Sequence, residues 1–505
     1  FVRMLRRAKK RDILQLLSKA PEEMAPFFVE AAVAAQSVPS LAALSDYLDF
    51  GKAPGSLLET FLYAAAFSPR PSTELLTLVL DKLQGKQLPP ELQETGIVVV
   101  GSLVGKLCQQ GLCGSPEASR GAETLLRGLA HSGEAMPAYL TALRNAALPA
   151  AVPALLRHAE HGPAATATLA VAALKTLPAQ HISSEVRSVM RRILHQTRKG
   201  YEKTCRLAAA DVLLGTEPLP MDVINILLAT KELEAEMATL LHTKVQSILR
   251  AEHHPARRIV KDVMRDPRIN NYYSFPQAGL SSAFTGPLAA TRDLLSTFGL
   301  ELLFAEGGLL RKSISDFSLF SHGHRLHVAE VTLEAQGMES LLGENGPEGE
   351  EEPELTAGMS AAFFNVHMRP VVFFKGYTDL MAKVLLSSGE PTSVVRGNLL
   401  LMDHHQVIPL QSGLQVVVKL QGGLGLDISA NMDVSIWEQD LKTSVNTRAS
   451  LAVDFQAELD APFFQTTLRS QTEAETAIHF DTALRFSESP VLMCLQLRED
   501  QVPYR

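Results

Sequence analysis

The feature that most constrains this chain lies at residues 421–437, QGGLGLDISANMDVSIW. From Leu424 to Ile436 every even position is apolar: Leu424, Leu426, Ile428, Ala430, Met432, Val434 and Ile436. Gly425, Asp427, Ser429, Asn431, Asp433 and Ser435 alternate with them. Period-two alternation assigns the two sets to opposite faces of a β-strand. At ~3.3 Å per residue that strand runs roughly 43 Å, well beyond the usual five or six residues. Its apolar face needs a cover, which can be a helix, a second sheet or something other than protein.

The neighbouring segments repeat the pattern. Leu414, Val416, Val418 and Leu420 form one alternating face before the quoted stretch. Val445, Thr447, Ala449, Leu451, Val453 and Phe455 form another, and Ile478, Phe480, Leu484 and Phe486 continue the series. Such strands predict an antiparallel meander with one apolar face. Segments 298–304, 309–320, 325–336 and 360–374 predict a second sheet. Between the two, YTDLMAKVLLSSGEP reads as a short helix capped by Thr378 and ended by Gly389. The acidic run GENGPEGEEEPE (343–354) reads as a mobile loop.

Before about Asn270 the period is helical. In SSEVRSVMRRILHQ, Val186, Met190, Ile193 and Leu194 make one buried helix face, with Ser183 or Ser184 as cap. The next helix, EKTCRLAAADVLLG, stops at Gly215 and carries Cys205 in step with its packed face. LPAAVPALLRHAEHGPAATATLAVAALKTLP holds two helices in about 30 residues, the mark of stacked helix pairs. The fold class is therefore α+β and multidomain. An α-helical solenoid or horseshoe over 1–272 precedes large antiparallel sheets over 273–505.

A length of 505 residues allows about two to four domains, and a net charge of -8 gives no support to nucleic-acid binding. The longest apolar run, around Gly96–Gly105, is too short to span a bilayer. With no initiator Met and an abrupt end at Arg505, the chain reads as a fragment of a longer protein. Cys108 and Cys113 in KLCQQGLC are either two independent thiols or a small disulfide loop. No second Cys or His pair follows at zinc-ligand spacing.

Several stretches imitate active sites. GSLVGK (101–106) lacks the full P-loop spacing and sits in a helical pattern, and GLSSA (279–283) lacks the frame of a nucleophile elbow. In SHGHRLH (321–327), His322 and His324 share a face if the segment is extended, as do Asp403 and His405 in DHH. Neither cluster has a third-ligand motif, so surface or strand-end histidines are expected. No catalytic constellation, cofactor site or metal site is expected.

Specific stretches then add a family. They include KLCQQGLC (106–113), MDVINILL (221–228), SSAFTG (281–286), VTLEAQGMESL (331–341) and GMSAAFFNVHMRPVVFFKGYTDLMAKVL (358–385). SSGEPTSVVRG (387–397), QSGLQ (411–415), the quoted strand and CLQLREDQVPYR (494–505) complete them. Colinear over essentially the whole chain, they resemble the large lipid transfer protein family. The likeness is to its microsomal triglyceride transfer branch rather than to vitellogenin or apolipoprotein B.

The resemblance implies that a preceding β-barrel and a short C-terminal remainder lie outside this chain, and that the sheets enclose an apolar lipid cavity. It further implies residence in the endoplasmic reticulum lumen as a heterodimer with protein disulfide isomerase. The implied activity is transfer of triglyceride, cholesteryl ester and phospholipid between membranes, with transient membrane contact and loading of apolipoprotein B. No covalent bond is broken. With the lumenal location, Cys108 and Cys113 are expected to be disulfide-bonded. The lipid-binding wall is expected at Leu424, Leu426, Ile428, Met432, Val434 and Ile436, with Leu451, Val453 and Phe455.

The helical half is the expected dock for the isomerase, through the basic set Arg187, Arg191, Arg198, Lys199 and Lys203. Arg206 is set apart, expected in an internal ion pair with Asp211 or a neighbouring helix. Competing readings are a vitellogenin-like lipid store, a lipid esterase and a purely structural scaffold.

Overall fold

A computed structural model describes residues 2–502. Outside the described residues lie 270–278, 291–294, 338–354, 379–391, 410–413, 436–439, 462–463 and 486–491, with 22, 36, 69, 86–87, 132, 216–217, 252–253, 306–307 and 322–323. For many residues of the last strands only the backbone is described. Helices α1 (Val2–Arg7) through α16 (Arg257–Val263) come first, and strands β1 (Ser282–Ala290) through β12 (Leu492–Val502) follow. Among the described residues the last helix ends at Val263 and the first strand begins at Ser282; the expected boundary at 272/273 lies outside the described residues. No helix among the described residues is long and apolar enough to cross a membrane.

The helices form where the apolar spacing placed them. In α12 (Ser184–Leu194), Val186, Met190, Ile193 and Leu194 are buried, and the Ser183 hydroxyl accepts the Val186 amide. α13 (Lys203–Leu213) buries Cys205, Ala209, Val212 and Leu213. Burial pushes the Cys205 thiol up to about 12, so it is an inert packing group. The tandem helices expected in LPAAVPALL…KTLP are α10 (Val152–His161) and α11 (Ala164–Lys175). Cys108, in α7 (Pro90–Gln109), is disulfide-bonded to Cys113.

The strands form two antiparallel sheets. One has the order β1, β2 (Leu295–Phe304), β3 (Leu310–Ser321), β4 (His324–Gln336), β5 (Thr356–Phe363) and β6 (Val366–His367), with β7 (Val371–Lys375) also on β5. The other has the order β12-β11-β10-β9-β8 and contains the long strands β9 (Gln415–Ser435), β10 (Asp440–Ala461) and β11 (Phe464–Arg485). The predicted 414–420 and 424–436 faces belong to one 21-residue strand. The segment 360–374 falls on three short strands rather than one; Phe364 and Asn365 take positive φ (49° and 64°) and turn the chain between the first two. The helix expected from Tyr377 to Gly389 and the acidic loop at 343–354 lie largely or wholly outside the described residues.

By backbone proximity the chain makes two compact units, one of Phe1–Ala118 with Val384–Arg505 and one of Ser119–Lys383. The first contains the early helices and the long-stranded sheet; within it α3 (Ala25–Ala35) and α5 (Gly55–Phe67) approach β8 (Thr392–Pro409). The second contains the later helices and the short-stranded sheet.

Inside the second unit, α15 (Ala235–Arg250) grips the start of the sheet. The buried Glu236 carboxylate accepts from the amides of Leu280 (3.0 Å) and Ser281 (2.7 Å) and from the Ser281 hydroxyl (2.5 Å). Ser281 Oγ in turn accepts the Phe304 amide at 2.9 Å. Lys244, also on α15, bridges Asp211 of α13 and Glu301 of β2 (Leu295–Phe304). Burial opposes the charge on Lys244, yet Asp211 and Glu301 hold its pKa above the usual lysine range. Burial would raise Asp211, but Lys175 and Lys244 hold it well below the usual carboxylate range. Asp211 is thus committed to these lysines. Arg206 reaches neighbouring helices, at the Leu194 carbonyl of α12 (3.0 Å) and Met237 Sδ of α15 (4.0 Å).

Candidate functional site

The long-stranded sheet carries the candidate site, and its register decides the matter. Directly paired residues of adjacent antiparallel strands share a face. Leu424 pairs with Leu451, Gly422 with Val453, Leu420 with Phe455 and Val434 with Leu441 across β9 and β10. From β10 to β11 the same face continues through Thr447–Ile478, Val445–Phe480 and Leu441–Leu484. It reaches β12 at Phe480–Leu497 and Leu484–Met493, and β8 at Leu424–Leu399 and Ile428–Val395. The alternation is thus in phase between β9 and β10, while on β11 and β12 the same face also carries Ser470, Thr472, Thr476, Glu499 and Gln501.

The nominated positions from Leu424 to Val434, with Leu451, Val453 and Phe455, all belong to this one register face; Ile436 lies outside the described residues. Of these side chains only that of Phe455 is described, and it is half-buried. At the same end of the face Val416, Val418, Ala457 and Leu459 are also half-buried, and Leu468, opposite Ala457, is 64% exposed. Among the described residues of this sheet Ala477 alone is buried, and it sits on the other face, in register with Arg448 and Asp427. The described end of the apolar face is thus half-buried, and exposed at Leu468.

The opposite face is dressed with polar pairs. Arg469 donates to both oxygens of Asp454 (3.0 and 2.9 Å), and Ser444 donates to Asp481 at 2.7 Å. His479 Nδ1 lies 2.6 Å from the Asn446 side-chain oxygen, and Lys419 3.8 Å from Glu458. One face thus carries charged and polar pairs and the other is largely apolar along the 21 and 22 residues of β9 and β10. Such a surface favours contact with hydrocarbon without selecting its orientation.

The basic residues expected to face a partner are engaged within the helical layer. Arg191 Nε donates to Asp222 at 2.6 Å, and Arg187 lies 3.7 Å from the same carboxylate, whose side chain is fully buried. Arg198 joins Arg192 on Glu160, at 2.9 and 2.6 Å. The hydrogen bond from Arg192 holds the Glu160 carboxyl below its ordinary range. Lys203 pairs with Glu234, and Lys199 lies 4.9 Å from the centre of the Tyr201 ring. Asp222 and Glu160 were not singled out in the sequence, although MDVINILL does place an acid in a first helical turn.

The active-site imitations have structural roles. Ser281 of GLSSA is buried on Glu236. Lys106 of GSLVGK donates to the carbonyls of Ala66 (2.7 Å) and Ser68 (3.0 Å), and burial lowers its pKa to about 8. His322 lies outside the described residues; His324, Asp403 and His405 lie on strands whose side chains there are not described.

Known proteins are similar along the whole chain. Residues 259–505 match the family described as MTP large subunit, lipid-binding domain, and residues 1–246 match the vitellogenin TPR domain. The microsomal triglyceride transfer protein of Megalobrama amblycephala is 42% identical over 99% of this chain and 57% of its own length. The microsomal triglyceride transfer protein large subunit of Homo sapiens is 40% identical over 100% of this chain, again 57% of its own length. The chain therefore spans a little over half of these relatives. A solved structure of lipovitellin, titled for its lipid–protein interactions, shares the fold with a TM-score of 0.68 at 15% identity, over 99% of this chain and 54% of that one. By full-length similarity at about 40% identity and by both matched domains, the chain belongs to the family of microsomal triglyceride transfer protein large subunits.

Proposed function

We propose that this chain is the helical and lipid-carrying part of a protein that transfers triglyceride, cholesteryl ester and phospholipid between membranes. On this reading it loads lipid onto apolipoprotein B in the endoplasmic reticulum lumen, as a heterodimer with protein disulfide isomerase. The observation that carries the lipid part is the apolar register face centred on β9 and β10, with its described end left half-buried or exposed. The names of the relatives supply the cargo class and the word subunit. The Cys108–Cys113 disulfide fits an oxidising compartment.

Transfer needs no bond-making step. Acyl chains exchange one apolar wall for another, so release from a membrane is offset by burial at about 25 cal/mol per Å² of apolar surface. Because apolar contact is non-directional, neutral lipids and phospholipid tails meet such a wall on equal terms. The protein is therefore a carrier rather than an esterase.

The test is transfer of labelled triglyceride and phospholipid between vesicles by the complete heterodimer, with fatty-acid release measured in parallel. Transfer without hydrolysis is expected. Val434→Asp should abolish most transfer, because a carboxylate facing hydrocarbon costs several kcal/mol. Ser429→Asp, on the polar register face, should leave it intact. Equal loss in both variants would contradict the assignment of faces.

For the isomerase dock, the ion pairs at Asp222, Glu160 and Glu234 narrow the basic set. Arg198 is 59% exposed beyond its Glu160 contact and is the first candidate, with Lys199 beside it. Arg198→Glu with Lys199→Glu should lower co-purification of the isomerase more than Asp427→Lys with Asp433→Lys. Unchanged recovery from the helical variant would move the dock elsewhere.

A further inference from the structure

On β3 (Leu310–Ser321) and β4 (His324–Gln336), Asp316 and Glu330 are directly opposed. Like charges in that relation disfavour strand pairing unless a cation stands between them. In a regular strand His327, three residues before Glu330, would project from the opposite face. The ladder, however, slips: Phe317 pairs with Ala329 and Ser318 with His327, so Val328 is an extra residue. This bulge returns His327 to the face of the two acids. Its Nε2 lies 2.5 Å from Asp316 Oδ2 and 3.8 Å from Glu330 Oε2. The three donor atoms all lie within 4.8 Å of one another.

The surroundings hold this trio in place. Arg144 of α9 (Met136–Ala146) donates to Glu330 Oε1 at 3.3 Å, leaving Oε2 as the oxygen nearer His327. Ser318 Oγ lies 3.3 Å from each Asp316 oxygen. The side chains are only 15–22% exposed, screened enough to hold an ion and open enough to admit one.

From this geometry we propose that Asp316, His327 and Glu330 form a binding site for a divalent transition-metal ion of the zinc type, with water completing the coordination. One imidazole nitrogen and two carboxylate oxygens make a borderline donor set that suits zinc better than calcium or magnesium. Zinc bonds of ~2.0–2.2 Å require the His327–Asp316 contact to open by about 1 Å. Ser318 and Arg144 would then orient the ligating carboxylates from behind. An ion here would clip β3 to β4 in a layer that is bound to the helices through Arg144.

The test uses the full chain, stripped with chelator and titrated with zinc chloride by competition against a chromophoric chelator. One tight equivalent is expected, not displaced by millimolar calcium or magnesium. His327→Gln and Asp316→Asn should each weaken it at least ~10-fold, and Ser318→Ala by about 10-fold through loss of ligand orientation. The chain has 15 histidines, so the site is located independently in the unsubstituted protein. There, zinc should protect His327 from diethyl pyrocarbonate, read by peptide mass spectrometry, whether or not a variant folds. Absence of a stoichiometric zinc equivalent, or modification of His327 at the same rate with and without zinc, would overturn the site. The trio would then be a charge network only.

Discussion

Asp222 shows how a single side chain ties the helical layer together. Its carboxylate is fully buried, with Arg191 at 2.6 Å and Arg187 at 3.7 Å. Asp222→Ala would leave two guanidinium groups facing a site without an anion, and removing one partner of a buried pair costs about 3–5 kcal/mol. Because Arg191 keeps 37% of its side-chain surface in water, the lower end of that range is expected in urea unfolding. Lys106 provides a pH signature of the opposite kind. Its pKa falls from 10.5 to about 8 on burial, so between those values the unfolded chain binds more protons than the native one. Stability from this residue therefore rises with pH across that window, by roughly 1–3 kcal/mol, and the penalty is fully present below pH 8. The stability difference between the native chain and Lys106→Met should move in favour of the native chain between pH 7.5 and 9.5. A pH-independent difference would mean that the amine is not desolvated. None of this was legible in the sequence, where Lys106 looks like the end of a phosphate loop and Arg187 and Arg191 look like surface charge. A residue's neighbours across a helix stack are set by packing, not by spacing.

Elements were legible to the extent that their period was unbroken. β9 and β10 announce themselves because alternation persists through most of their 21 and 22 residues, whereas β11 alternates legibly only from Ile478 onward, its earlier half being rich in Thr, Ser and Glu. β8 did not, because register shifts at Ser393/Val395 and Leu400/Met402 change the parity of its apolar residues twice. β1 was missed for another reason: Gly286 and Pro287 interrupt it, and a proline without an amide hydrogen is tolerated in that edge strand. The hidden Asp316–His327–Glu330 convergence has the same origin, since a bulge cannot be read from residue spacing. The joint between α15 and β1 makes an element-scale prediction. Glu236→Ala would leave the Leu280 and Ser281 amides and the Ser281 hydroxyl without their acceptor. Leu280 is exposed, so the buried donors are the two of Ser281; at about 1–3 kcal/mol each a loss of about 2–6 kcal/mol is expected. Glu236→Gln, which keeps one acceptor oxygen, should lose less. Hydrogen exchange at Ser281 and Phe304 would report the joint directly: unchanged protection in Glu236→Ala would show that the sheet edge is held by other contacts.

At the scale of the whole chain, the change of period and the division into compact units are different boundaries. Helix gives way to strand between Val263 and Ser282, yet the chain passes from one compact unit to the other after Ala118 and after Lys383. Sequence shows the first because period is a local property. It cannot show the second, since closure of the first unit depends on residues near the two ends, as where α3 and α5 meet β8. The second unit is continuous in sequence and has its own ties between layers. Lys244 joins α15 to Asp211 and Glu301, Arg311 pairs with Glu202, and Asn145 exchanges hydrogen bonds with the His367 backbone at 2.8 Å in both directions. A piece spanning 115–383, which retains the Ser115 hydroxyl that accepts the Ala118 amide, should therefore fold by itself with one cooperative urea transition. It should also retain the zinc-type site, since Asp316, His327, Glu330 and Arg144 are all inside it. It should not carry triglyceride, because the long in-phase apolar face belongs to residues 392–502. The complementary piece, residues 1–118 alone, lacks the strands that α3 and α5 approach and should be aggregation-prone, with part of its apolar surface uncovered. Triglyceride retained by the isolated 115–383 piece would place a lipid site on the short-stranded sheet. Failure of that piece to fold without the rest of the chain would mean that the two compact units are one cooperative body.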